Sequence, residues 1–172
     1  MIGIRITGME SINRRLALLQ DKAAKKALRK GVQAGTKVLA KGAKRRVRKG
    51  KGGKGKLAGL LKKSIGSKVK TFRGNGVTVG IVGPRKGFLH VMSDGRRIDP
   101  VKYAHIEERG RQQVRIKKKR LLSDGSAVYG VKVARYAGNP FLQPTLEEDS
   151  SQTELHMGIA TMKAINDEMK KA

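Results

Sequence analysis

The sequence predicts an α+β fold: long helices packed on a small antiparallel sheet of hairpins, closed by a C-terminal helix. Three observations predict it. Apolar residues recur at helical spacing in the first third of the chain and again at its end. Between them lie two pairs of strand-like segments, each joined at a glycine turn, Asn75-Gly76 and Asp124-Gly125. The length of 172 residues suits a single domain over 1–172 whose core needs neither metal nor disulfide.

Ile2, Ile4 and Ile6 alternate with Gly3, Arg5 and Thr7, the pattern of a short half-buried strand that Gly8 ends. From Met9 the period becomes helical, with Ile12, Leu16 and Leu19 on one side. A second helix over 21–48 carries the stripe Ala24, Leu28, Gly31, Gly35, Val38 and Gly42. An interior Gly costs about 1 kcal/mol relative to Ala. Three on one stripe therefore imply either a backbone packed closely on a sheet or sister helix, or a weak helix that frays. Residues 49–56 alternate Lys and Gly and read as a flexible basic loop.

Leu57, Leu60 and Leu61 make a short helical turn. Segments 64–72 and 77–82 form a hairpin, because Asn75-Gly76 suits the positive φ angles of a type I′ turn. Residues 83–100 read as an inserted loop that touches a neighbour through Phe88, Leu89, Val91 and Met92. A short helix over 101–108 stops at Gly110, and 112–122 with 127–135 form a second hairpin. Thr145-Leu146-Glu147-Glu148 has the spacing of a capping box before the last helix. That helix carries the apolar stripe Leu155, Ile159, Met162, Ile165 and Met169.

Charge dominates the composition: 40 Lys and Arg face 13 Asp and Glu, net +27. Residues 1–56 hold 18 basic and 2 acidic side chains (+16), 57–120 hold 17 and 4 (+13), and 121–172 hold 5 and 7 (−2). Copies of such a chain repel one another unless polyanions or acidic neighbours compensate. Nucleic acid is the expected partner, and the mildly acidic last third is suited to meeting a basic part of the next subunit. With no cysteine there is no disulfide, thiolate metal site or thiol nucleophile. No apolar run is long enough for a membrane helix, and the start lacks a secretory layout, so no membrane partner is expected, and synthesis in the cytoplasm with use there or in a particle assembled there.

Candidate chemistry is sparse. Residues 50–56 nearly fit a phosphate-binding loop, but Leu57 stands where Mg²⁺ needs a hydroxyl and the segment follows a helix. His90, His105 and His156 are far apart in sequence, which gives no zinc spacing. Glu107 and Glu108 are adjacent, so on a helix they diverge, and pairing with nearby Arg is the expectation. Ser123-Asp124-Gly125-Ser126 is a turn signal. No catalytic, cofactor or metal residue is assigned, and the chain is expected not to be an enzyme.

Two basic clusters remain: Lys41, Lys44, Arg45, Arg46, Arg48, Lys49, Lys51, Lys54 and Lys56, and Arg115, Lys117, Lys118, Lys119 and Arg120. Runs of charge are ordinarily solvated faces, but cations displace condensed counterions from DNA and so attract it without reading its sequence. Aromatic residues barely interleave with them, so base stacking of the single-strand kind is not expected.

Several segments, in order, resemble the neck or tail-completion proteins of long-tailed phages, the family that includes the lambdoid minor tail protein Z. They are Ile4-Arg5-Ile6-Thr7-Gly8-Met9-Glu10, Ala27-Leu28-Arg29-Lys30-Gly31, Gly55-Lys56-Leu57 with Ser64-Ile65, and Val77-Thr78-Val79-Gly80. The box Tyr103-Ala104-His105-Ile106-Glu107-Glu108-Arg109-Gly110 is similar to a Tyr-Ala-x-x-x-Glu-x-Gly motif. Asn139-Pro140-Phe141-Leu142-Gln143-Pro144 resembles a Pro-Phe-Leu-x-Pro segment. The Gly/Lys loop, 83–100 and the tail after Glu148 depart from the pattern. The resemblance implies a virion subunit at the head–tail junction or tail top, in a homo-oligomeric ring with sixfold symmetry favoured. Its neighbours would be tail terminator, head-closure or tube proteins, with double-stranded genome DNA passing through. Tyr103, Ala104, Glu108, Gly110, Pro140, Phe141 and Pro144 would be structural. Two rival readings are a ribosomal or nucleoid-type nucleic-acid-binding protein and a nucleotide-dependent enzyme.

Overall fold

The computed structural model describes residues 9–17, 21–47, 56–72, 77–91, 95, 97–115, 120–121, 127–128, 132–133 and 135–170. The fold is α+β, as expected. Six helices are described: α1 (Met9–Ala17), α2 (Asp21–Arg46), α3 (Lys56–Ser64), α4 (Val101–Arg109), α5 (Gln143–Glu148) and α6 (Ser150–Met169). The strands are β1 (Ile65–Thr71), β2 (Thr78–Pro84), β3 (His90–Val91), β4 (Arg97–Ile98), β5 (Val114–Arg115), β6 (Arg120–Leu121), β7 (Ala127–Val128) and β8 (Lys132–Val133). The expected strand over Ile2–Ile6, the Gly/Lys loop before Lys56 and both glycine turns lie outside the described residues.

The chain gathers into two compact units. The first comprises Met1–Gly42, Gly66–Val82 and Pro144–Ala172. Its core joins α1, α2 and α6 through Ile12, Ala27, Ala164 and Ile165, with Met162 at the edge. The stripe of small residues on α2 explains the close approach. A Cβ on Gly31 would lie 1.9 Å from Thr161 Oγ1 and 3.1 Å from the Met157 carbonyl oxygen, and one on Gly35 would lie 2.3 Å from Met157 Cγ. Close packing on a sister helix is thus the reading that holds at these two positions. The apolar members of the expected stripe are displaced by about one residue: Ala24, Leu28 and Val38 are half-buried, whereas Ala27, Thr36, Ala40 and Ala43 are buried.

β1 and β2 pair as a two-stranded antiparallel sheet, closed by Phe72 N–H to the Val77 carbonyl at 2.9 Å. Thr71 and Thr78 hydroxyls meet across it at 3.3 Å. Gly80 sets the inner face against α2, since a Cβ there would meet Thr36 Cγ2 at 2.1 Å. Alternation then turns Val79 and Ile81 outward. α6 departs from expectation. Of its predicted apolar stripe only Ile165 is fully buried; Leu155 is 61 % exposed and Ile159 58 %. The face that packs inward is built instead from Thr153, Met157, Thr161 and Ala164, because only short or pliant side chains fit against the glycines of α2. Thr153 and Thr161 hide their hydroxyls by donating to the carbonyls of Asp149 and Met157, both at 2.7 Å. From the solvent side of α2, Lys26 reaches Glu168 of α6 at 2.8 Å.

The second unit comprises Ala43–Ile65 and Gly83–Gln143. Leu60, Leu61, Ile65, Ile98, Ala104 and Phe141 are buried there. Residues 83–100 carry regular structure: β2 runs on to Pro84, and β3 pairs antiparallel with β4, His90 opposite Ile98 and Val91 opposite Arg97. Arg85 closes the end of α3, its guanidinium donating to the Ser64 and Lys63 carbonyls at 3.3 Å each while stacking over Phe88. A cation at the carbonyl end of a helix meets both its unpaired acceptors and its dipole. The second hairpin appears as two short antiparallel ladders, Val114 opposite Val133 and Arg120 opposite Val128.

The glycine packing makes an unusual forecast. Helix propensity alone would have Gly31→Ala stabilise α2 by about 1 kcal/mol. Because the new methyl meets Thr161 and the Met157 backbone, overpacking of about 1–3 kcal/mol wins and the midpoint of denaturant unfolding falls. Gly35→Ala falls less, since its neighbour is the far end of the flexible Met157 side chain.

Candidate nucleic-acid interface and the motif box

The surface of α2 turned away from the glycines is almost purely cationic. Lys22, Lys25, Lys26, Arg29, Lys30, Lys37 and Lys41 are all exposed, and Asp21 is the helix's one acid. Lys26, Lys30, Lys37 and Lys41 recur at turn spacing, with Gln33 between, and so share one face over about 22 Å. Beside them Lys25, Lys26, Arg29, Val69, Thr71 and Phe72 line an open groove of about 680 Å³. This groove was missed by sequence reasoning. The signal was present, in cations spaced i, i+1 and i+4 on α2 and an aromatic residue just before a turn, but only tertiary packing brings the two together.

Of the first expected cluster, Lys41 and Arg45 are exposed and Lys44 and Arg46 half-buried on α2, where cations in the last turn suit the helix dipole. Arg48, Lys49, Lys51 and Lys54 lie outside the described residues, and Lys56 opens α3. Of the second cluster, Arg115 ends β5 and Arg120 begins β6, while Lys117, Lys118 and Lys119 lie outside the described residues. Among the described residues the α2 cations therefore form one stripe.

The motif box is brought together in the second unit. Glu108, on α4, accepts the backbone N–H of Phe141 at 2.8 Å, of Leu142 at 3.0 Å and of Gln143 at 3.0 Å. Its carboxylate thus satisfies donors at the start of α5, the task the sequence assigned to Thr145. That assignment is corrected: α5 begins at Gln143, so Thr145 is inside the helix and buried. Glu107 accepts the Tyr136 hydroxyl at 2.7 Å. The partners seen for this acidic pair are the Tyr136 hydroxyl and the backbone N–H groups of residues 141–143, so α4 aims both carboxylates at the segment before α5.

Gly110 ends α4 with φ 77°, and its added Cβ would lie 2.5 Å from the Tyr136 carbonyl oxygen. Gly138, also at φ 77°, packs its Cα against the Gly110 backbone. Neither position admits a side chain. Asp99 Oδ1 accepts the Val101 N–H at 3.0 Å at the start of α4. Burial pushes the Tyr103 phenol up to about 12, with the carboxylates of Glu107 and Asp99 adding to the shift. Ala104 and Phe141 are buried, Pro144 is half-buried inside α5, and Pro140 is exposed just before Phe141.

His90, His105 and His156 are exposed, and among the described residues no three His, Asp or Glu side chains converge as metal ligands would. No described helix is long and apolar enough to cross a membrane.

These features define a basic α+β protein in which Glu108, Gly110 and Gly138 brace the segment before α5. Residues 10–110 match the HK97-gp10-like family, described as "Bacteriophage HK97-gp10, putative tail-component". The match covers more than half of the chain, from α1 to Gly110, and the chain belongs to this family. It is therefore a phage tail component and a virion protein by family. No curated protein and no solved structure gives a significant match.

Two outcomes follow from the box. Glu108→Ala removes a charged acceptor from three N–H groups and is expected to lower unfolding stability by about 2 kcal/mol, read from denaturant midpoints. Because the folded Tyr103 holds its proton where an unfolded tyrosine releases it, stability falls as pH rises from 10 towards 12. Tyr103→Phe should decline less than the parent chain over that window in melts at stepped pH.

Proposed function

We propose that the chain is a non-enzymatic subunit of a ring at the head–tail junction or tail top, lying against genome DNA through its basic surface. The observation that carries this reading is the exposed cationic face of α2, without an acid between Lys22 and Lys41. Duplex phosphate, with a charge about every 1.7 Å of axis, matches such a stripe in sign and extent. The groove beside Phe72 adds cations to the same surface. Family membership favours this reading over a ribosomal or nucleoid role and over nucleotide hydrolysis. The partners are then other copies of the chain, a terminator, head-closure or tube protein, and double-stranded DNA.

Imaging of particles carrying a labelled subunit tests the placement. Label in a ring at the head-proximal end of the tail is expected, and label along the tube or at the distal tip would overturn it. DNA contact is tested separately. Replacing Lys26, Lys30, Lys37 and Lys41 by Gln should lower duplex affinity and reduce the slope of log affinity against log salt by up to about four, one for each phosphate no longer neutralised. The same exchange at Lys49, Lys51, Lys54 and Lys56 should act likewise if that loop shares the DNA. An unchanged slope in either set would assign that surface to an acidic protein neighbour.

A further inference from the structure

The first unit leaves two unlike apolar surfaces uncovered. One is the outer face of the β1–β2 hairpin, where Val77 (49 % exposed), Val79 and Ile81 (48 %) form a column. Beside it on β1 stand the exposed Lys68 and Lys70. The other lies along α5 and α6. Glu148, Gln152, Leu155, Ile159, Met162, Asn166 and Met169 alternate spacings of four and three, and all are exposed except the half-buried Met162. Helical hydrogen bonds carry the chain through Asp149, from Asp149 N–H to the Thr145 carbonyl and from Thr153 N–H to the Asp149 carbonyl. The six positions from Gln152 to Met169 on α6 therefore form one seam, the 3.5-residue repeat that keeps a stripe facing a partner, with Glu148 just ahead of it across the bend at Asp149.

We infer that the seam of one copy docks on the hairpin face of the next, and that this head-to-tail contact builds the ring. The inference rests on the ring reading above. Charge selects the pairing. The hairpin face carries Lys68 and Lys70 and no acid, while the start of the seam has Glu148 beside it and Glu154 on its flank, with no Lys or Arg before Lys163. Hairpin on hairpin would set lysine against lysine, and parallel seams would set Glu148 against Glu148. Hairpin on seam joins opposite charges around an apolar centre. The two surfaces also point different ways: the hairpin sits over Val32 and Thr36 of α2, and α6 over Gly31 and Gly35. These pairs of positions lie roughly 100° apart around a helix. A contact between two different surfaces of identical subunits is heterologous and closes into a ring when its rotation closes.

The chain has no cysteine, so introduced thiols report without background. Val79→Cys and Ile159→Cys chains, differently tagged, are co-assembled into particles and treated with a short bismaleimide. The expected result is a crosslinked pair containing one chain of each kind, and none between chains of the same kind. Lys68→Glu with Lys70→Glu should cut the yield severalfold, and adding Glu148→Lys with Glu154→Lys should restore it. Crosslinks between two Ile159→Cys chains would overturn the inference in favour of a symmetric helix pair. Absence of the mixed pair, while a lysine crosslinker still gives multimers, would overturn it and leave the ring reading standing. Monomers under the lysine crosslinker would overturn both.

Discussion

The contact on which the first unit depends is the approach of α6 to Gly31 and Gly35 of α2. It fixes which residues α6 turns inward: two threonines that bond to their own helix, a methionine and an alanine. The larger apolar residues of α6 are displaced to the outside. On α2 the same choice leaves the long cations no place but the solvent side.

In the second unit a carboxylate plays the comparable part. Glu108 gathers three consecutive backbone donors ahead of α5, and its neighbour Glu107 holds Tyr136. Gly110 and Gly138 let the two segments meet backbone to backbone. The acids, the glycines and the buried Phe141 constitute a brace, which gives physical reasons for a motif whose residues are far apart in sequence. Nothing in that brace needs a ligand.

Helix positions and the first hairpin were legible because local periodicity and turn chemistry determine them. The glycine stripe foretold close packing for the same reason, since backbone can only be approached where side chains are missing. Facing was harder to read. The hydrophobic pattern of α6 has two apolar sides, Leu155 to Met169 and Ala164 with Ile165, and periodicity does not say which meets the protein. The capping pattern at Thr145 failed because a distant carboxylate was better placed, a tertiary fact with no local trace. Charge singled out residues 41–56 and 115–120, whereas the cationic face exposed on α2 runs over Lys22–Lys41, and the groove with Phe72 needed the folded hairpin.

The acid-free face of α2 has a further consequence for the unbound subunit. Lys22 and Lys26, Lys26 and Lys30, and Lys37 and Lys41 are like charges one turn apart, each pair opposing the helix by a few tenths of a kcal/mol. Ionic strength then acts on the molecule with two signs. Added salt screens the self-repulsion and stiffens the free helix, while it loosens the hold of the same face on any polyanion. On the reading proposed above, a polyanion lying along the stripe would supply further counter-charge and stabilise the loaded chain.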